Sequence, residues 1–372
     1  MVIYYKNDSR VQYFFGRKGM KQFIGYSKNG DCKEAFKGLE NPVAIVYIAG
    51  KEIFEKVTKD VTAMFPGVET IGCVGQSYYM ENINLTGLTA VGFYGKARAV
   101  AGAIEDVTMP LVNVSEIEEK MNKIGAAEKD TVCLDFACGN DAQLVTTMNI
   151  ALRKKNISLV GGTAWEDTVA YNGKIYHNAA VYLFLKNLEG KIKAYRENIY
   201  EARESGEHFI ATKVDTAKSI IYELDNKPVQ KVYMETLGVS ERDLPDQTFI
   251  NPLGRYIGNE IYLISLKSKV ENGGLECYKR VNSMDILTIM QLMDYEQIVQ
   301  NTLEGMKQEF SKVSGIFSIN CVFRYLLFEQ KNFTAKYLQC VKQIGPHAGL
   351  IGLGEHYNTQ HVNQTMSCFV FE

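Results

Sequence analysis

One pattern recurs three times along this chain, and it limits the fold more than anything else in the sequence. An apolar strand leads into an amphipathic helix. A second apolar strand then reaches a glycine-rich turn, and further strands follow. The first copy has a strand at 43–49 and a helix over about 51–65, with Phe54, Val57, Val61 and Met64 on one face. Its second strand, 68–73, ends in Gly72-Cys73-Val74-Gly75, and strands near 88–94 and 97–104 come next. The second copy has a strand at 131–137 and a helix starting near Asp141, with Leu144, Met148 and Leu152 inward. Its strand at 157–160 runs into Gly161-Gly162-Thr163-Ala164, and a hairpin turns at Asn172-Gly173. The third copy has a strand at 315–321 and a helix around 329–343. It continues through Gly349-Leu350-Ile351-Gly352-Leu353-Gly354-Glu355 to a closing strand at 364–371. Hairpins interrupt the alternation too often for a doubly wound nucleotide fold. The expected class is α+β, with mixed or mainly antiparallel sheets covered by helices in layers.

Local signals fill in the connections. Ser115-x-x-Glu118 and Asp294-x-x-Gln297 read as capping boxes. Asp225, Pro228 and Gly238 bracket a helix with Val229, Val232, Tyr233 and Leu237 inward, and 208–224 reads as two alternating strands. The opening 40 residues are mixed and polar, with a strand-like stretch at Val11-Gln12-Tyr13-Phe14-Phe15.

Charge and cysteine usage exclude several function classes. Lys+Arg number 41 and Asp+Glu 43, so bulk attraction to nucleic acid or anionic lipid is not the main activity. The N-terminus has no apolar segment of signal-peptide length, and the run Val43 to Ala49 is too short to span a bilayer. A cytoplasmic protein without membrane insertion is expected. None of the eight cysteines forms a Cys-x-x-Cys pair, and several lie in apolar runs, as buried reduced thiols do.

No P-loop, dinucleotide fingerprint, His-Glu-x-x-His or Gly-x-Ser-x-Gly motif occurs. What stands out is glycine where the repeated strands end: Gly72/Gly75, Gly161/Gly162 and Gly352/Gly354. Glycine there permits close backbone approach, either for a ligand or for turn geometry alone. A second group lies near the C-terminus. Arg324 follows Cys321 and offers a planar fork for a carboxylate. Glu355 can accept from an amine, and Asn363 and Thr365 offer orienting hydrogen bonds. Together they suit a small zwitterion such as an amino acid, or else Arg324 and Glu355 form a structural ion pair. His347, His356 and His361 lie within fifteen residues beside Glu355, but none has the i, i+4 spacing of a helical zinc pair, so no metal is assigned. Haem would need one axial His or Cys in an apolar pocket. Cys73, Cys138 and Cys321 are candidate nucleophiles for an enzymatic alternative, but no activating base is apparent.

Taken together, these segments resemble the FIST family of bacterial sensory proteins across nearly the whole chain. In the N-terminal half the resemblance rests on Gly72-Cys73-Val74-Gly75, Val91-Gly92-Phe93-Tyr94 and Val160-Gly161-Gly162-x-Ala164-x-x-Asp167. In the C-terminal part it rests on Ile221-x-Glu223-Leu224-Asp225-x-x-Pro228, Pro252-Leu253-Gly254, Cys321-x-x-Arg324, Gly349-x-x-x-x-Gly354-Glu355 and Asn363-Gln364-Thr365. Phe323 stands where the family pattern usually has glycine, and Leu350 where an aromatic is common. The resemblance implies an extension at 1–40, a FIST N-like domain at 41–227 and a FIST C-like domain at 228–372. It implies a non-enzymatic sensory input module for a small molecule, an amino acid or derivative, with no resident cofactor. A haem-based nitric oxide sensor is the alternative. The implied ligand-binding set is Arg324, Glu355, Asn363, Thr365, Cys321, Gly161, Gly162 and Asp167. The implied output partner is a histidine kinase, a chemoreceptor signalling domain or a cyclic-di-nucleotide enzyme.

Overall fold

The computed structural model describes residues 19–372, apart from 140, 258, 259 and 279. The strand-like stretch at 11–15 lies outside the described residues. The chain runs β1 (Met20–Ser27), α1 (Cys32–Ala35), β2 (Ala44–Ala49), α2 (Lys51–Met64), β3 (Glu69–Val74), β4 (Gln76–Tyr79), β5 (Asn82–Asn84), β6 (Leu88–Gly95) and β7 (Ala97–Ile104). It continues through α3 (Val114–Ile124), β8 (Thr131–Ala137), α4 (Leu144–Leu152), β9 (Ser158–Thr163), β10 (Val169–Tyr171), β11 (Lys174–Tyr176), β12 (Ala180–Asn187) and β13 (Ile192–Glu197). An inserted region then holds β14 (Tyr200–Ala202), β15 (Phe209–Asp215), β16 (Ile220–Leu224), β17 (Lys227–Pro228), α5 (Val229–Leu237) and α6 (Gln247–Ile250). It ends with β18 (Leu253–Ile257), β19 (Glu260–Ile264), β20 (Leu266–Lys269), β21 (Leu275–Cys277) and β22 (Ile286–Leu292). The last part is α7 (Tyr295–Glu309), β23 (Gly315–Cys321), α8 (Val322–Gln330), α9 (Thr334–Ile344), β24 (His347–Gly352), β25 (Glu355–Tyr357), β26 (Gln360–Val362) and β27 (Met366–Phe371).

Three six-stranded sheets share one design. Their orders are β1-β6-β2-β3-β10-β11, β7-β12-β8-β9-β25-β26 and β13-β27-β23-β24-β4-β5. At the centre of each is a parallel pair joined through helix: β2/β3, β8/β9 and β23/β24. An antiparallel strand flanks the first member, and a hairpin from a different repeat flanks the second. The hand-over is cyclic. The first repeat gives β4–β5 to the third sheet, the second gives β10–β11 to the first, and the third gives β25–β26 to the second. No repeat completes its sheet alone, so the three form together. The mixed sheets and the helices that cover them make this an α+β fold.

Period-two alternation sorts the side chains. Val46, Ile48, Leu134, Phe136, Phe317, Ile319 and Leu350 meet in one shared core between the three sheets. The outer faces carry helices: α1 and α2 on the first sheet, α3 and α4 on the second, and α7, α8 and α9 on the third. The inserted region forms a fourth sheet with its own core, where Val229, Val232 and Tyr233 of α5 pack against Leu253 and Leu287.

Local chemistry accounts for most boundaries. Asn172 and Gly173 both have positive φ, as the two-residue hairpin turn requires. Asp294 caps α7 by accepting from Gln297 N at 3.0 Å. Ser115 lies inside α3, which starts at Val114, so it is not a cap. The helix expected over 329–343 is two helices. Asn332 takes a left-handed φ of 53°, and Phe333 N donates to Phe328 O at 2.7 Å, which closes α8 before α9 begins.

Candidate functional site

After Thr131 the strand β8 is apolar except for one charged residue, Asp135. Asp135 shares the outer face with Cys133 and Ala137, while Leu134 and Phe136 point into the shared core. It sits opposite Gly161 on β9, and Gly161 in turn sits opposite His356 on β25. A Cβ on Gly161 would lie 1.8 Å from Asp135 Oδ1. Glycine is therefore what lets the Asp135 carboxylate reach across β9. Its Oδ2 accepts from His356 Nδ1 at 2.7 Å, with both side chains fully buried.

The other ring nitrogen of His356 meets Asp141, on the short 3-10 turn that follows β8. His356 Nε2 lies 3.2 Å from Asp141 Oδ2. Thr163, at the end of β9, donates its hydroxyl to the same oxygen at 2.6 Å. His361 Nδ1 lies 3.2 Å from Asp141 Oδ1. His356 and His361 are direct cross-strand partners in the β25–β26 hairpin, and their rings cross at 87° with centroids 5.0 Å apart. The order of groups is thus Asp135, His356, Asp141, His361. It starts in the core and ends at a side chain that is 17% exposed.

The electrostatics follow from that geometry. Burial opposes charge on His356, but Asp135 and Asp141 outweigh it and hold the imidazole up to about 10. It is an imidazolium at neutral pH, donating to both carboxylates. Burial pushes the Asp135 carboxyl up, and the His356 charge draws it back. Asp141, His356 and His361 each offer one ligand atom, all within 4.8 Å of one another, so these three residues can hold a metal ion.

The residues named from the sequence go to several places. Gly161 and Gly162 pair directly with His356 and Glu355. Glu355 is fully buried, and its Oε2 accepts from Thr365 N at 3.0 Å and Thr365 Oγ1 at 2.7 Å. Cys321 lies beside it: burial pushes its thiol well up, and the Glu355 charge adds to that. Glu355, Thr365, Cys321 and the glycine pair therefore converge. Arg324 goes elsewhere. It is fully buried, and its guanidinium donates to Glu197 and to Asn320. Its ion-pair partner is Glu197 on β13, not Glu355. The rings of Phe328 and Tyr337 stack on it at 4.4 and 5.0 Å. Asn363 donates to Ser265 Oγ at 3.4 Å, towards the fourth sheet. Asp167 is exposed and accepts from Asn178 N at 3.1 Å. Cys73 and Cys138 are buried, and burial pushes the Cys138 thiol up to about 12 and the Cys73 thiol well up. That direction is opposite to the one a thiolate nucleophile needs.

Sequence reasoning passed over Asp135, Asp141 and Thr163 and gave His356 and His361 no metal role. One signal was readable: a lone carboxylate inside an otherwise apolar strand. The histidine pair could not be found by helical spacing, because a hairpin, not a helix, brings the two rings together.

The FIST N domain model matches residues 42–227, and the FIST C domain model matches residues 230–358. The chain belongs to the FIST family. FIST domains are sensory domains of signal transduction rather than catalytic ones. No curated protein matches the chain. Among the described residues, no helix is long and apolar enough to cross a membrane. In FIST terms, the cluster sits on a seam. Asp135, Asp141 and Thr163 lie in the FIST N match, and His356 in the FIST C match, on a hairpin that completes a FIST N sheet.

Proposed function

We propose that this FIST protein is a cytoplasmic input module that recognises a small polar molecule, an amino acid or derivative, without transforming it. The observation that carries the reading is the chain of groups from Asp135 to His361, which links a FIST N strand to the β25–β26 hairpin that completes its sheet. A guest at its exposed end contacts Asp141, Thr163 and His361, which offer a carboxylate for an ammonium group and a hydroxyl and an imidazole for a carboxylate. Gly161, Gly162, Glu355, Thr365 and Cys321 hold the hairpin that presents them. Arg324 has no direct contact with the guest in this reading, because Glu197 already takes up its charge.

The hairpin is also tied to the rest of the molecule, which suits a transmitting element. Arg196 on β13 bonds Gln360, Ser367 Oγ donates to His356 O at 3.2 Å, and Gln364 Nε2 donates to Thr248 O at 2.5 Å. A shift of β25–β26 therefore pulls on the third sheet and on the inserted region together. The signal passes to an output protein such as a histidine kinase, a chemoreceptor domain or a cyclic-di-nucleotide enzyme.

Thermal-shift measurements on the full chain against a panel of amino acids and derivatives test the reading. A ligand selective for the native state adds RT ln(1 + [L]/Kd), about 2.7 kcal/mol at a hundredfold excess over Kd. The expected result is a shift for a subset of the panel that is lost in His361→Ala. A flat response across the panel, or an undiminished one in His361→Ala, rejects this site.

A further inference from the structure

We propose that Asp141, His356 and His361 form a binding site for a divalent transition-metal ion of the zinc type, with Asp135 orienting His356 from behind. This inference stands independently of the sensory reading, since metal binding needs no small-molecule guest.

The donor set comes first. Two imidazoles and one carboxylate suit zinc, iron(II), cobalt(II) or nickel(II), whereas magnesium and calcium prefer oxygen-only sets. An ion about 2.0–2.2 Å from each donor in a tetrahedral site needs its donor atoms about 3.4 Å apart. Asp141 Oδ2 lies 3.2 Å from His356 Nε2, and its other oxygen, Oδ1, lies 3.2 Å from His361 Nδ1. One donor atom from each residue lies within 4.8 Å of the others, so turning the Asp141 carboxylate and the partly exposed His361 ring onto one ion closes the triad.

The surroundings supply the independent observation. Histidines that bind metal nearly always give their second nitrogen to a carboxylate or carbonyl, which fixes the ring and aims the other nitrogen at the ion. Asp135 does this for His356: it holds Nδ1 at 2.7 Å from inside the core and aims Nε2 at Asp141. Asp141 has its own support in the Thr163 hydroxyl at 2.6 Å. Two glycines keep the space open. A Cβ on Gly161 would strike Asp135, and one on Gly354 would lie 2.5 Å from His361 Nε2. Among the described residues three protein donors are in place and one of them reaches solvent, which leaves a four-coordinate ion one position to fill, as in ligand-binding metal sites.

The charge also balances. Two carboxylates and a divalent cation sum to zero in a site whose inner members are fully buried.

The test uses the full chain, stripped with a chelator and titrated with cobalt(II) as the optical probe, then with zinc by calorimetry. The expected result is one equivalent bound, with visible cobalt bands of a low-coordinate nitrogen–oxygen site displaced by zinc. His361→Ala and Asp141→Asn should each weaken binding at least tenfold. Asp135→Asn should weaken it about 10–100-fold while keeping the cobalt bands, because its effect passes through His356. His361→Ala keeps the core intact, and its far-ultraviolet circular dichroism checks that it folds. His208→Ala serves as the control and should bind as the parent does. No stoichiometric uptake by the parent, or unchanged affinity in folded His361→Ala, overturns the site.

Discussion

The second and third sheets have equivalent strand orders and a central parallel pair each, and one row of residues shows how their chemistry diverges. In the second sheet the row reads Asp135, Gly161, His356 across β8, β9 and β25. The corresponding row of the third sheet, across β23, β24 and β4, reads Ser318, Gly349, Tyr78. In the first sheet it is Tyr47, Gly72, Ala170. The glycine recurs in all three because a side chain there would strike the neighbouring strand. Hydroxyls and an alanine accompany it in the first and third sheets, and a carboxylate and an imidazole in the second.

Both the second and the third sheets bury charge under their helices, but in different ways. Under the third sheet, Arg324 and Glu197 are sealed among Phe328 and Tyr337 with almost no exposure. Under the second, the Asp135–His356–Asp141 chain ends on His361, which reaches solvent. A sealed ion pair resists exchange with any guest, whereas a chain that surfaces can gain or lose one. The comparison separates a structural charge cluster from a responsive one within a single repeated architecture.

The sharpest way to break this comparison is to remove one partner of the sealed pair. Glu197→Ala leaves Arg324 buried and uncompensated, and should cost about 3–5 kcal/mol. Urea midpoints measure it; a loss below about 1 kcal/mol would show that the third-sheet pair is not sealed.

Next in size is a contrast in pH dependence between two buried histidines. His347 lies on β24, where its only side-chain hydrogen bond among the described residues is with Ser318 Oγ at 2.7 Å, and burial lowers its pKa to about 3. Its folded value lies below its unfolded one. Its contribution is therefore complete above about 6.5 and is lost as pH falls towards 3, at about 1.4 kcal/mol per pH unit, or about 2–3 kcal/mol by pH 4.5. His356 has the opposite sign. Its folded value is raised to about 10, so its contribution is complete below about 6.5 and lost as pH rises through 10. Denaturant midpoints from pH 4 to 10 on metal-free protein should show His347→Gln flattening the acid limb and His356→Gln the alkaline limb. The same limb flattened by both variants would erase the distinction.

Gly161→Ala should then cost about 1–3 kcal/mol through overpacking. It should also change the alkaline limb, because the added methyl displaces Asp135 from His356. The matched change Gly349→Ala, whose Cβ would lie 2.2 Å from Ser318 O, should destabilise without touching that limb. The smallest effect belongs to His361→Ala, below about 1 kcal/mol, since its contact with Asp141 lies at the partly exposed end of the chain of groups. A much larger loss would mean that the exposed end of the chain is structural after all.

The regular parts of this architecture were legible because they rest on local rules. Apolar runs mark 131–137 and 315–321 as buried strands, Asn172-Gly173 announces its hairpin, and Asp294 announces its cap. The site was legible only in pieces. Glu355, Thr365, Cys321, Gly161 and Gly162 do come together, because each lies on or beside the end of a repeated strand. The two sequence readings of Arg324, a zwitterion site with Glu355 or an ion pair with it, both set it beside Glu355, yet it turns to Glu197, 127 positions away along the chain. The glycines equivalent by register are Gly72, Gly161 and Gly349, so Gly352 and Gly354 lie further along.

By itself the sequence determined most of the elements, the three repeats, most of the buried thiols and the kinship with FIST proteins. All of these follow from period, turn chemistry and residue order, which act over a few neighbours. The tertiary structure decided which repeat lends its hairpin to which sheet. That exchange carries His356 and His361 from near the C-terminus to Asp135 and Asp141, more than 200 positions earlier. Hydrogen bonds between strand edges carry no record of chain distance, so only the assembled sheets could bring these four side chains together.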